Sequence, residues 1–176
     1  MLWLVSSSSD KAALSVVDGL GRFAGHGPHY SRRTPGSKTF TGIGREVVLV
    51  AADGTAVWSV VYQRTPQRVG SGASRGRAAV TDTAPRHIWR NNVFRNVGAG
   101  LSSSLIQEAL AMTYEVWAAR YGALPAERLR TEVDTKRIRS TNPGYCYKVA
   151  GWVPDRVVSG KLYLWAPERA AATEAA

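Results

Sequence analysis

Cysteine is nearly absent. Cys146 is the only one in 176 residues, so no internal disulfide can form, and the chain suits a reducing cytoplasm. Long apolar runs are missing as well: no stretch approaches the ~20 residues that span a bilayer. The opening Met1-Leu2-Trp3-Leu4-Val5 is short, lacks a basic leader and runs into serines, which reads as a first strand rather than a signal peptide. Acidic residues are scarce, 13 Asp and Glu against 23 Lys and Arg, and the net charge is +10. That balance favours a polyanionic partner, most simply nucleic acid; the alternative is a basic enzyme without one. No internal repeat is visible. The length suits one domain with a sizeable core, over 1–167, followed by an alanine-rich tail at 168–176 expected to fray.

The richest stretch runs from Ile88 to Gly122. It reads as a strand (Ile88–Arg95), a glycine turn and a helix (Leu101–Tyr121) with Leu101, Leu105, Ala109, Met112 and Val116 on one apolar face. Ser104 and Gln107 offer a capping box, and Gly122 a left-handed stop. A glycine turn between strand and helix leaves backbone N–H groups facing outwards at the positive end of the helix dipole, an arrangement that binds anions. Arg95, Gly98 and Gly100 have spacing that suits a diphosphate. The alternative is a tight turn that only lets strand and helix pack.

Around this stretch, Ser9 or Asp10 can cap a helix reaching Phe23, with Ala13, Leu14, Val17 and Leu20 inward. Glu46–Ala51 and Ala56–Tyr62 form a hairpin across Asp53-Gly54. Residues 67–85 read as a mobile, arginine-bearing loop. Leu129, Thr131 and Val133 alternate in a strand ending at Asp134. Asn142-Pro143-Gly144 starts a helix that stops at Gly151, and two short strands flank Gly160.

Several polar side chains invite chemistry. His29 has the residue type for proton transfer or metal ligation near neutral pH, and Tyr30 beside it can donate a hydrogen bond or stack. Asp134, at a strand's carboxyl end, can be a base, a metal ligand or the ion-pair partner of Arg137. Tyr147 is a general acid or a core tyrosine; Cys146 reads as a small buried residue. Arg90, Asn91 and Asn92 put polar groups on both faces of a central strand, and asparagine and arginine are the residues that read adenine, guanine and phosphate. Arg32 and Arg33 add charge beside the histidine loop.

Tyr147 to Trp152 has the form Tyr-x-x-x-Gly-aromatic. With the glycine turn it resembles the GNAT acyltransferase superfamily, in which the turn holds the pyrophosphate of acyl-coenzyme A and the tyrosine often protonates the leaving thiol. His29-Tyr30-Ser31-Arg32, Arg90 to Arg95, Thr131 to Asp134 and Pro143 to Trp152 together resemble the Mom-type DNA modification proteins of bacteriophages. The likeness covers roughly His29 to Trp152.

It implies an α/β fold with a mixed, mostly antiparallel sheet flanked by helices in the order β-α-β-β-β-α-β-α-β-β. The activity it implies is transfer of a carbamoylmethyl- or acyl-type group to the exocyclic amine of adenine in double-stranded DNA, in the cytoplasm of a bacterial host. His29, Tyr30, Asp134 and Tyr147 would form the active centre. Ser103 and Ser104 would join Arg95, Gly98 and Gly100 at a site for acyl-coenzyme A or a related donor, and Arg32, Arg33, Arg90, Asn91 and Asn92 would meet DNA. Iron is associated with that family, and a histidine, carboxylate and tyrosine set can ligate it. The chain departs from ordinary GNAT enzymes in Ser102-Ser103-Ser104, where apolar residues are commoner. An acyl-coenzyme A-dependent N-acetyltransferase of a small amine or protein is one alternative, and a basic DNA-binding module that keeps the fold without the chemistry is another. If the basic surface holds DNA, log affinity should fall by about 0.9 per log unit of salt for each phosphate contact; a salt titration of duplex binding reads this directly, and a flat response points to the acetyltransferase.

Overall fold

Strand-forming and helix-forming stretches alternate along the chain. The computed structural model describes residues 2–30, 34, 36–64, 87–98, 100–138 and 140–169. Arg32, Arg33, the expected loop at 67–85 and most of the tail lie outside them. The elements are β1 (Trp3–Ser6), α1 (Lys11–Asp18), a 3-10 turn (Gly21–His26), β2 (Arg45–Ala51), β3 (Ala56–Arg64), β4 (His87–Asn96), α2 (Ser102–Tyr121), β5 (Arg130–Asp134), α3 (Tyr145–Val149), β6 (Val153–Val158) and β7 (Lys161–Trp165). This is an α/β fold with one seven-stranded sheet in the order β1-β2-β3-β4-β5-β7-β6. All neighbouring strands among the described residues are antiparallel except β4 and β5.

Local chemistry fixes several boundaries. The β2–β3 hairpin turns at Gly54 with φ +67°, and the Asp53 carboxylate accepts from the N–H (2.9 Å) and hydroxyl (2.8 Å) of Thr55. Asp10 caps α1 by accepting from the Ala13 N–H at 3.0 Å. The helix does not reach Phe23 as expected. It stops at Gly19 in the left-handed conformation, because the chain folds back and seats the Gly27 carbonyl where a side chain at residue 19 would lie. Ala13 and Val17 are buried, but Leu14 is only half-buried and Leu20 is exposed.

The apolar face of α2 also differs from the expected one. Ile106, Leu110, Thr113 and Trp117 join Leu105 and Ala109 against the sheet, Met112 and Val116 lie at its margin, and Leu101 is 71 % exposed. Leu101 occupies the N-cap position, with no side chain capping the helix, so no capping box forms; Ser104 is already the third residue of the helix. Gly122 ends the helix with φ +79° and ψ −128°, outside the left-handed helical basin.

The helices divide the core between the two faces of the sheet. α2 and α3 cover one face, where Trp58, Trp89, Trp117 and Trp152 pack with Leu49, Ile106 and Leu164. The Trp58 indole N–H finds its partner in the Thr113 hydroxyl at 2.9 Å. α1 and Phe23 cover part of the other face, over Val50, Val57 and Val93.

Two irregularities of β4 interrupt the sheet at its centre. Its pairing with β3 jumps from Val60↔Asn91 to Ser59↔Val93, leaving Asn92 as the extra residue of a bulge. The bulge flips the alternation: Asn91 lies on the α2–α3 face, Val93 on the α1 face. On its other edge β4 pairs with β5 only at Arg90↔Arg130 and Asn91↔Thr131; beyond that point the two strands have no paired residues. Gly19→Ala should cost at least about 1–2 kcal/mol from the left-handed backbone alone, with the Gly27 carbonyl clash added. Gly25→Ala, where nothing lies within 4 Å, should be near neutral; denaturant unfolding of the two variants checks the contrast.

Candidate active site where β4 and β5 part

Separating two strands leaves backbone groups without ladder partners. In the gap between β4 and β5 the segment after the 3-10 turn supplies them. His29 is anchored by its own N–H to the Val17 carbonyl at 2.7 Å, and its Nε2 donates to the Phe94 carbonyl of β4 at 3.2 Å. A carbonyl only accepts, so Nε2 carries the proton and Nδ1 keeps the lone pair. The Tyr30 hydroxyl donates to the Glu132 carbonyl of β5 at 3.3 Å, and Arg137 donates to the Tyr30 carbonyl at 3.0 Å. The two rings lie 4.4 Å apart. One dipeptide thus bridges both strands.

Below it, on the α2–α3 face, Asn91 is the hub of a buried network. Its amide nitrogen donates to the carbonyls of Ser59 (2.9 Å) and Val93 (3.0 Å). Its amide oxygen accepts from the Tyr147 hydroxyl at 2.5 Å and from Thr131 at 3.3 Å. Every polar atom of the side chain is engaged and the residue is 3 % exposed, which places Asn91 inside the protein rather than on a DNA-facing surface. Asn92 turns the other way and accepts from the Ser59 hydroxyl at 3.0 Å. Arg90 is half-buried. Asp134 accepts from the Lys136 N–H at 3.1 Å and lies 3.6 Å from Arg137.

The glycine turn is occupied with its own structure. Arg95 is 9 % exposed and spends its guanidinium on the carbonyls of Val17 (3.0 Å) and His26 (3.1 Å), tying β4 to α1 and the 3-10 turn. The Gly98 N–H donates to Asn96 Oδ1 at 3.0 Å, and Asn96 Nδ2 reaches the Gly100 carbonyl at 2.6 Å and Ser102 Oγ at 3.1 Å. A side chain on Gly98 would strike Thr55, so its glycine serves packing against the hairpin. Ser103 is buried and Ser104 exposed. These contacts do not fit a diphosphate held by Arg95 and the Gly98 N–H.

Burial sets the protonation states. His29 is held neutral, its pKa lowered to about 4 by desolvation and then by the Arg95 charge. Tyr30 is pushed up to about 12 by burial and by the carboxylate of Asp134. Tyr147 is raised well above the usual phenol range by burial, and the Cys146 thiol is raised for the same reason. At neutral pH the gap therefore holds one neutral imidazole and two protonated phenols. Among the described residues no three His, Cys, Asp or Glu side chains group to hold a metal ion. Of the histidine, carboxylate and tyrosine side chains that could form such a set, His29 meets the Phe94 carbonyl, Tyr30 the Glu132 carbonyl, Asp134 lies beside Arg137 and Tyr147 meets Asn91. Comparison with models of known protein families and with curated proteins finds no match to this chain.

The site gathers His29, Tyr30, Asp134 and Tyr147 from three distant segments. Sequence reasoning missed the hub role of Asn91 and the contribution of Thr131. The one available signal was an asparagine at a buried strand position, which calls for internal partners. Because the neutral imidazole is favoured in the fold, lowering pH should remove stability between the unfolded pKa of 6.5 and the folded value of about 4, as the unfolded chain takes up the proton first. Urea unfolding across that window should show the decline, and His29→Gln should flatten it.

Proposed function

We propose that the chain is a GNAT-like transferase that places a carbamoylmethyl- or acyl-type group on the exocyclic amine of adenine in DNA. The observation that carries the reading is the meeting of His29, Tyr30, Asp134 and the Asn91–Tyr147 pair at the point where the parallel strands β4 and β5 open. The strand order, with that parallel pair bridged by α2, supports the GNAT-like half of the reading. The net charge of +10 supports a polyanionic substrate.

The chemistry follows from the proton states. The lone pair of the adenine amine is delocalised into the ring, so a base must remove its proton as the new N–C bond forms. Neutral His29 can accept that proton. Tyr30, held protonated, can protonate the departing group. Tyr147 is enclosed and donates its hydroxyl to Asn91, so it acts as a positioning residue that fixes the strand edge beneath the pair. Adenine inside a duplex does not reach such a gap, and the base must leave the stack.

Nucleosides from the DNA of cells expressing the protein should contain a heavier adenine derivative by mass spectrometry. Tyr30→Phe and His29→Gln should each lower its formation about 10²–10⁴-fold. Tyr147→Phe should act chiefly through stability, at about 1 kcal/mol. Unmodified adenine alongside an acylated small amine or protein would replace this reading with the N-acetyltransferase one.

A further inference from the structure

Among the described residues, α1 covers the second sheet face over β2, β3 and the last half of β4. On β5 and β7 that face carries Arg130 and Glu132 beside Trp165 and Tyr163, alternating with buried Thr131, Val133, Leu162 and Leu164. The register sets Arg130 opposite Trp165 and Glu132 opposite Tyr163. The guanidinium groups of Arg130 and Arg156 lie 5.5 and 5.9 Å from the centre of the Tyr163 ring. Glu132 lies 3.2 Å from Lys161 and 3.6 Å from Arg130, and Asp155 lies 3.7 Å from Arg156, so a phosphate on either arginine would displace a carboxylate neighbour.

At the amino ends of β4 and β5 this strip opens into a cavity of about 340 Å³. Trp89, Trp165 and Ile88 give it apolar walls; Arg128, Arg130 and Glu127 stand on it, with His87 at the start of β4. The volume falls at the small end of ligand sites, enough for one flat ring system. Glu127 accepts from the Tyr62 hydroxyl at 3.2 Å, and its other oxygen lies 3.9 Å from His87 Nδ1, far enough to turn to a ligand N–H donor.

We propose that this cavity takes one nucleobase from a single-stranded stretch of nucleic acid, with Arg130 and Arg156 holding the flanking phosphates. An aromatic wall suits the π-face that every base shares, and arginines spaced along a strand suit a phosphate backbone. The carboxylate at the cavity favours bases with an exocyclic amine, adenine, cytosine and guanine, over thymine. The cavity lies towards the opposite end of β4 from the gap at His29, since His87 and Phe94 are seven residues apart, roughly 23 Å along a strand; the strip itself reaches the gap at Glu132, whose carbonyl accepts from Tyr30. The proposal stands whether or not the chain transfers a group to DNA.

The test uses the full chain and a labelled 12-residue oligo(dA), beside an abasic oligomer of equal charge. The intact protein should bind oligo(dA) more tightly than the abasic strand. Trp165→Ala should weaken oligo(dA) binding about 5- to 150-fold and leave the abasic strand unchanged. Trp165→Phe should restore most of the loss, and Arg156→Gln, an exposed change, should weaken both strands. Should Trp165→Ala fail to fold, adenosine monophosphate should still quench the tryptophan fluorescence of the intact protein. Equal affinity for the two strands, absence of quenching, or competition by polyglutamate as effective as by oligo(dA) would overturn the nucleobase assignment. Modification of DNA, measured separately, reports on the His29 site alone.

Discussion

The parting of β4 and β5 is the constraint on which the rest of the site depends. Two strands that pair at only two positions leave carbonyls at their inner edges, and a carbonyl shut away from water without a donor costs about 1–3 kcal/mol. His29 meets that need on β4 and Tyr30 on β5. The same contacts that close the sheet therefore carry an imidazole and a phenol into the gap. The segment that brings them is itself pinned: Arg95 holds the Val17 and His26 carbonyls, and the left-handed Gly19 lets the Gly27 carbonyl close over the end of α1.

The bulge at Asn92 supplies the floor of the site. Without the extra residue, Asn91 and Val93 would share a face, and one of them would be wrongly placed. With it, Val93 joins the apolar packing under α1 while Asn91 turns towards α3 and meets Tyr147 and Thr131. A buried amide is tolerable only when its donors and acceptor are all used. Here they are, and the network joins β3, β4, β5 and α3 at one point. The same enclosure disfavours charge, which is why the imidazole stays neutral and the phenols stay protonated.

The basic composition resolves into different uses. Arg95 works inside the fold as a donor to backbone carbonyls, and Arg128 ties the start of β5 to the Ala166 carbonyl at 2.7 Å. Arg130 and Arg156 line the strip beside Tyr163 instead. Net charge alone does not separate these roles, because a guanidinium contributes the same unit charge whether its donors face carbonyls or solvent.

The sequence by itself determined the elements whose signals are local. Asp53-Gly54 sets its hairpin through the Thr55 contacts, alternation at Leu129, Thr131 and Val133 marks β5, and Asp10 starts α1, each through groups a few residues apart. His29, Tyr30, Asp134 and Tyr147 stood out because their chemistry is written in their side chains. Only the tertiary structure decided what these groups face. Whether Arg95 holds an anion or a carbonyl depends on Val17, 78 positions away; whether Asn91 meets solvent or Tyr147 depends on a bulge and on α3, 56 positions on. The end of α1 likewise depends on a carbonyl that returns from Gly27. Long-range partners compete for the same donors and acceptors that local patterns leave open, and that competition is settled only when the chain is packed.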